Sequence, residues 1–288
     1  MLKQRVITGL VLAAVFALAL VYLPGPLFSA FAATITLIAA WEWANLSGFA
    51  RYWQRAAYVT VMGVILAGGA MYLNVHTLPE AALEDSALAE AQRLSFRNIL
   101  MVGCGWWALA LLWVQGYPSS ALLWRSRWMR AGMGFFVLIP AWAALSYLRV
   151  QDGGLWLLLL LVMIVACADI GGYFAGRRWG RRKLAINVSP GKTWEGFAGG
   201  VVANLLLALL IGSLFEGGLL FWIAIIIPTS LVSVLGDLLE SMVKRYRGIK
   251  DSSALLPGHG GVLDRVDSLT AAAPVFALAL LAGGWPLA

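Results

Sequence analysis

Leu219–Ser268 reads LLFWIAIIIPTSLVSVLG followed at once by DLLESMVKRYRGIKDSSALLPGHGGVLDRVDS. The first part, Leu219–Gly236, is an uncharged apolar run, long enough as a helix to cross a hydrocarbon layer of ~30 Å. The second part is a charged island. It holds five of the chain's fourteen acidic residues, Asp237, Glu240, Asp251, Asp264 and Asp267. Lys244, Arg245, Arg247, Lys250 and Arg265 lie among them, with the Gly-rich turn Pro257-Gly258-His259-Gly260-Gly261.

The apolar pattern repeats in both directions. Of 288 residues, 61% are hydrophobic and 12% charged, where a soluble domain carries about 25% charged residues. Apolar runs fall at Val6–Leu23, Leu27–Ala44, Ala56–Leu73, Asn98–Val114, Ala131–Leu148, Leu155–Ala175, Gly196–Phe215, Leu219–Gly236 and Ser268–Trp285. This predicts an all-α polytopic membrane protein of about nine spans. Ala30-Phe31-Ala32 resembles a signal-peptide cleavage site, but the first run is long and a second follows at once, so it reads as a retained helix. Asn74–Arg97 reads as a polar connection.

Charge placement predicts the orientation. With the N-terminus in the cytoplasm, all of the 21 Lys and Arg residues except Arg93, Arg97 and Arg149 fall on the cytoplasmic side. The loops 176–195 and 237–267 then both face the cytoplasm, and the C-terminus lies outside. The net charge of +7 is a topology and lipid-headgroup signal, with no nucleic-acid partner implied. Cys104 and Cys167 sit inside apolar runs and form neither a disulfide framework nor a zinc spacing. No repeat or linker divides the chain. It reads as one membrane domain, with residues 1–150 as N-terminal helices and residues 151–288 as the catalytic half.

In Asp264-Arg265-Val266-Asp267, two carboxylates three apart share a helix face if the last helix opens there. Helix capping accounts for one Asp more readily than for two. The other reading is a divalent-cation site with oxygen ligands. Asp237 and Glu240 stand at the same expected depth, and Asp169 lies in the inner half of the sixth run. Such charges in a membrane protein are paired or functional. Ser189-Pro190-Gly191-Lys192-Thr193-Trp194-Glu195-Gly196 offers free N–H groups and a cation to an anion, or simply caps the next helix through Thr193 or Ser189. It is not a complete Walker A loop. His259 reads as a loop hydrogen bonder or a phosphate contact. His76 lies on the outer side and takes no role. Glu42, between Trp41 and Trp43 near the inner end of the second run, pairs with an Arg or touches the site. Metal-binding carboxylates, cations and Gly-rich turns in a membrane imply phosphoryl or nucleotidyl transfer to a lipid.

Ser241-Met242-Val243-Lys244-Arg245, then Lys250-Asp251, then Pro257–Asp267 resembles the signature of the phosphatidate cytidylyltransferases, or CDP-diacylglycerol synthases. Asp169 with Gly172-Tyr173 and Gly176-Arg177, and Ser189-Pro190 with Lys192–Gly196, are also similar to that family. Gly191 departs from it, where many members carry a longer polar residue. The resemblance implies that CTP and phosphatidate give CDP-diacylglycerol and pyrophosphate with Mg²⁺. It implies catalytic roles for Asp237, Lys244, Asp264 and Asp267, and metal ligation by Asp237, Asp264, Asp267 and Asp169. Substrate contacts would come from Lys192, Thr193, Arg245, Lys250, Asp251, His259, Gly260, Gly261 and Arg265. The expected setting is the inner membrane, active site toward the cytoplasm, with a homodimer as one option for assembly. A CTP-dependent lipid-alcohol kinase and an ion-coupled transporter are the rival readings. The transporter should show inverted repeats or helices broken at mid-membrane, and the sequence shows no repeat.

Overall fold

The computed structural model describes residues 2–75 and 86–285; His76, Glu80, Glu84 and Asp85 lie outside them. The helices are α1 (Leu2–Tyr22), α2 (Gly25–Ser47), α3 (Tyr52–Tyr72), α4 (Ser86–Gln115), the short α5 (Ala121–Trp124), α6 (Arg127–Val150), α7 (Gly154–Trp179), α8 (Trp194–Leu214), α9 (Gly218–Arg247) and α10 (Leu263–Ala282). Among the described residues, eight of these (α2–α4 and α6–α10) are long and apolar enough to cross a membrane, and the apolar part of α1, Ile7–Tyr22, is shorter. The all-α membrane architecture read from the sequence is the one observed.

Three boundaries differ from expectation. The connection drawn over Asn74–Arg97 is helical from Ser86 onward. Here α4 puts Arg93 near the end of α10, where Arg93 Nη2 donates to Leu281 O at 3.1 Å. Arg149 Nη2 likewise donates to Leu23 O at 2.7 Å. Two of the three Arg residues expected on the minority side thus satisfy carbonyls at or just past helix ends, which favour cations. The second difference is α9, which continues three turns past Gly236 to Arg247. Its polar extension keeps a buried face through Leu238, Leu239, Met242 and Val243, a helical spacing. Asp237 is therefore inside a helix and not at its end. The third is the loop 176–195, which contains an antiparallel hairpin, β1 (Lys183–Ala185) and β2 (Ser189–Thr193).

Helix α10 is the hub, packing on α9, α6, α4, α7 and α2. Large apolar side chains on the outside of the bundle are exposed, as on α8 at Val202, Leu206, Leu209 and Leu210, which suits a surface meeting lipid. Helix association in lipid relies on close packing and interhelical hydrogen bonds. Ser29 and Ser146 Oγ atoms meet at 2.8 Å between α2 and α6. Asn204 Nδ2 joins α8 to α9 and α7 through Ser230 Oγ at 2.9 Å and Ile164 O at 3.1 Å.

The α9–α10 crossing bears most directly on the charged island. A Cβ on Gly236 would overlap the Asp267 carbonyl and press on Ala271. Only glycine lets the two backbones come this close, and that closeness sets Asp237 beside α10. Gly236→Val is expected to destabilise the protein by about 1–3 kcal/mol through overpacking. The check is the thermal unfolding midpoint of the purified protein in detergent; an unchanged midpoint would show the crossing to be loose.

Candidate active site

Two regions of the chain converge at one end of the bundle. The first is a cavity of about 380 Å³ between α7, the hairpin, α8 and α9. Asp169, Gly172, Tyr173, Gly176 and Arg177 line it from α7, and Gly191, Lys192 and Thr193 from β2. Asp169 and Lys192 therefore reach the same space from different elements. Thr193, not Ser189, caps α8: its Oγ1 accepts from Gly196 N at 3.1 Å. The cap leaves the start of α8 against the cavity, and helix N-termini favour anions. Glu195 fixes the base of the hairpin by accepting from Arg181 N at 2.9 Å and Arg182 N at 3.2 Å. Gly191, expected from the resemblance to stand where a longer residue is common, lies within β2. A Cβ there would meet nothing within 4 Å, so a longer side chain has room.

The second region is the island itself. Lys192 Nζ sits 2.6 Å from Asp237 Oδ2 and links the cavity to α9. Ser241 Oγ, one turn on, donates to Asp237 Oδ1 at 3.1 Å. Asp237 is an electrostatic neighbour of Asp169 and of Asp267. Asp267 in turn faces Glu240. The Glu240 side chain is 2% exposed, with Lys244 Nζ 3.3 Å from its Oε2. Lys244 Nζ also lies 2.6 Å from Asp264 Oδ1. Five carboxylates (Asp169, Asp237, Glu240, Asp264 and Asp267) thus form a chain of neighbours around two lysines, Lys192 and Lys244.

Asp264 is in the first turn of α10, as the spacing with Asp267 anticipated. Its Oδ2 accepts from Ser252 N at 2.9 Å and Gly261 N at 2.7 Å, and lies 2.8 Å from Ser252 Oγ. One carboxylate therefore gathers both ends of the loop between α9 and α10. That loop carries the remaining expected residues. Gly258 and Gly260 have φ of 76° and 82°, left-handed values that glycine adopts freely. Asp251 packs beside Gly260. The His259 ring lies against Gly9 of α1, and its buried Nδ1 has no hydrogen-bond partner among the described residues. Lys250, Arg245 and Arg265 are exposed, and Arg245 Nε donates to Val188 O at the hairpin at 3.2 Å. None of Lys250, Asp251, His259, Arg245 or Arg265 lines the 380 Å³ cavity.

Of the two readings of Glu42, the Arg partner is not the one observed. Glu42 is 1% exposed, and its carboxylate receives loop and α10 donors rather than an Arg. Ser253 Oγ donates to Oε1 at 2.5 Å and Val262 N to Oε1 at 3.0 Å. Leu263 N donates to Oε2 at 2.7 Å, and Ser252 Oγ lies 3.3 Å from Oε2. The only signal in the sequence was a carboxylate within an apolar run.

The donor set suits a hard cation by composition and charge. Its five carboxylates outnumber its two lysines, and carboxylate oxygens are the ligands such cations take. Among the described residues, no three His, Cys, Asp or Glu side chains are already drawn together as a cage; Asp237 and Asp264 are each paired with a lysine instead.

Comparison with known proteins covers nearly the whole chain. The family model described as the cytidylyltransferase family matches residues 3–282. A phosphatidate cytidylyltransferase of Pseudomonas aeruginosa is 43% identical, over 99% of this chain and 99% of its own. The one from Haemophilus influenzae is 40% identical, over 96% and 97%. That of Brucella suis is 36% identical, over 96% and 92%.

Proposed function

Since the chain belongs to the cytidylyltransferase family, we propose that it is a phosphatidate cytidylyltransferase acting from the cytoplasmic face of the inner membrane. A phosphate oxygen of phosphatidate attacks the α-phosphorus of CTP. The new P–O bond gives CDP-diacylglycerol, and the bond to the β-phosphate breaks to release pyrophosphate with the electron pair. The observation that carries this reading is the link between cavity and island. Lys192 lines a cavity with Asp169 and Arg177 while pairing with Asp237 at the edge of the α9–α10 carboxylates.

Within this reading, Lys192, Arg177 and the N-terminus of α8 hold phosphate oxygens. The attacking group is already ionised, so no Ser, Cys or His nucleophile is required. A neighbouring cavity of about 510 Å³, lined mostly by apolar residues, shares Leu184, Phe197 and Val234 with the first. It suits an acyl chain entering sideways while the headgroup stays at Lys192. Asp237, Asp264 and Asp267, with Asp169 nearby, are the residues that would hold Mg²⁺. Bound there, the ion supplies charge neutralisation on the phosphates.

The test is the purified protein with CTP, phosphatidate and Mg²⁺, assayed for CDP-diacylglycerol. Radiolabelled CTP separates the lipid-kinase alternative, which transfers the γ-phosphate and releases CDP instead of pyrophosphate. Chelation with EDTA is expected to bring product formation to background, and added Mg²⁺ to restore it. Turnover that persists in EDTA would remove the metal from the proposal.

A further inference from the structure

Helix α10 begins without a cap of its own. Its N-cap residue, Val262, is already in helical conformation at φ −66° and ψ −41° and makes no side-chain cap bond. The first N–H groups of a helix need partners from outside it. Here Val262 N and Leu263 N find theirs on Glu42, about 220 residues away in sequence, at 3.0 and 2.7 Å. Glu42 is buried, and its other contacts are Ser253 and Ser252 in the same loop. Asn45, one turn further along α2, donates from Nδ2 to Ser252 O at 3.0 Å. A Cβ on Gly261 would run into the Glu42 carboxylate and Ser252 Oγ, so the loop is fitted closely against this seat.

We propose that Glu42 is a positioning residue for cytidylyl transfer: by capping α10 from α2, it fixes where that helix starts and therefore where Asp264 and Asp267 stand. A negative group at a helix N-terminus is favoured by the helix dipole, and three donors, Ser253 Oγ, Val262 N and Leu263 N, converging on one buried carboxylate leave it little freedom. Asp264 binds the same loop from the other side through Ser252 N and Gly261 N. The loop is thus held between two carboxylates, one in the island and one remote from it in sequence. The inference rests on the reading that these α10 carboxylates serve the transfer reaction.

The experiment compares the wild-type protein with Glu42→Gln and Glu42→Asp, using CTP and phosphatidate. Glu42→Gln places an amide N–H₂ against backbone N–H groups, and Glu42→Asp keeps the charge but shortens the reach. Both are expected to lower kcat by about 100-fold, as small misplacements of reacting groups do, while KM for each substrate changes by less than about threefold. Trypsin cleavage after Lys250 should quicken in both variants. Wild-type kcat per folded molecule in Glu42→Gln would overturn the proposal, and so would full activity of Glu42→Asp, which would show that charge alone matters. If Glu42→Gln does not fold, Ser253→Ala removes one donor and should show the same split with a kcat loss of about three- to tenfold; an unchanged kcat there overturns the proposal as well. Failure of the wild-type protein to make CDP-diacylglycerol would count against the function. The cleavage comparison would still decide whether Glu42 holds the loop.

Discussion

Asp264→Asn is expected to lower the rate of pyrophosphate release by about a thousandfold while the protein stays folded in the membrane. Two effects act together. The first is electrostatic, since aspartate carries one of five neighbouring carboxylates and loses its charge. Removing a single preorganised charge or dipole from a reacting site costs about 10²–10³ in rate, and a residue that would also ligate a metal stands at the upper end. The second is geometric. Asp264 Oδ1 faces Lys244 at 2.6 Å, while Oδ2 faces Ser252 N, Ser252 Oγ and Gly261 N. An asparagine must turn its N–H₂ toward one side or the other, so either the lysine or the loop meets a donor where an acceptor stood. The stability cost should be about 1.5–3 kcal/mol, the value of a hydrogen bond to a charged group. Glu42 still holds the loop from its other side, so global unfolding is not expected. The measurements are pyrophosphate release and the thermal midpoint of the same detergent preparation. Near-normal release would remove Asp264 from the catalytic set.

The sequence disclosed those parts of the molecule that depend on neighbours along the chain. Apolar run length identified the long apolar helices, and the three-residue spacing placed Asp264 and Asp267 in the opening turns of α10. The polar turns of α9 were harder to read. Hydropathy stops at Gly236, yet Leu238, Leu239, Met242 and Val243 continue a buried helical face that a search for membrane spans does not register. The hairpin before α8 was missed because its strands are three and five residues long, too short for alternation to show. Glu42 was read only as pairing with an Arg or touching the site, and its partners were hidden for a different reason. Its meaning comes from Ser253, Val262 and Leu263, which reach it only through the packing of α10 against α2. The convergence of Asp169 and Lys192 was likewise a question for the fold, and α7, β2 and α8 answer it by enclosing one cavity.

Lys244→Met should destabilise the protein far more than Lys192→Met, although each lysine ends 2.6 Å from an aspartate. The difference is burial. The Lys192 and Asp237 side chains are 25% and 31% exposed. A pair open to water to that extent contributes at most about 1 kcal/mol, and Asp237 keeps Ser241 as a donor. Lys244 is 12% exposed and lies between Glu240 at 2% and Asp264 at 5%. Methionine fills much of the same volume but leaves those two carboxylates buried without their shared cation, with Asp267 adding to the repulsion. Removing one partner of a buried pair costs about 3–5 kcal/mol. In activity the order should narrow. Lys192 lines the cavity and is proposed to meet phosphate, so Lys192→Met is expected to raise KM for CTP or phosphatidate with a midpoint close to wild type. Lys244→Arg should recover part of the lost stability, because it restores charge but not the compact geometry of the ammonium. Thermal midpoints of the three variants, read beside steady-state kinetics, test the contrast. Equal midpoints for Lys244→Met and Lys192→Met would mean that water reaches the α9–α10 island as freely as it reaches the cavity.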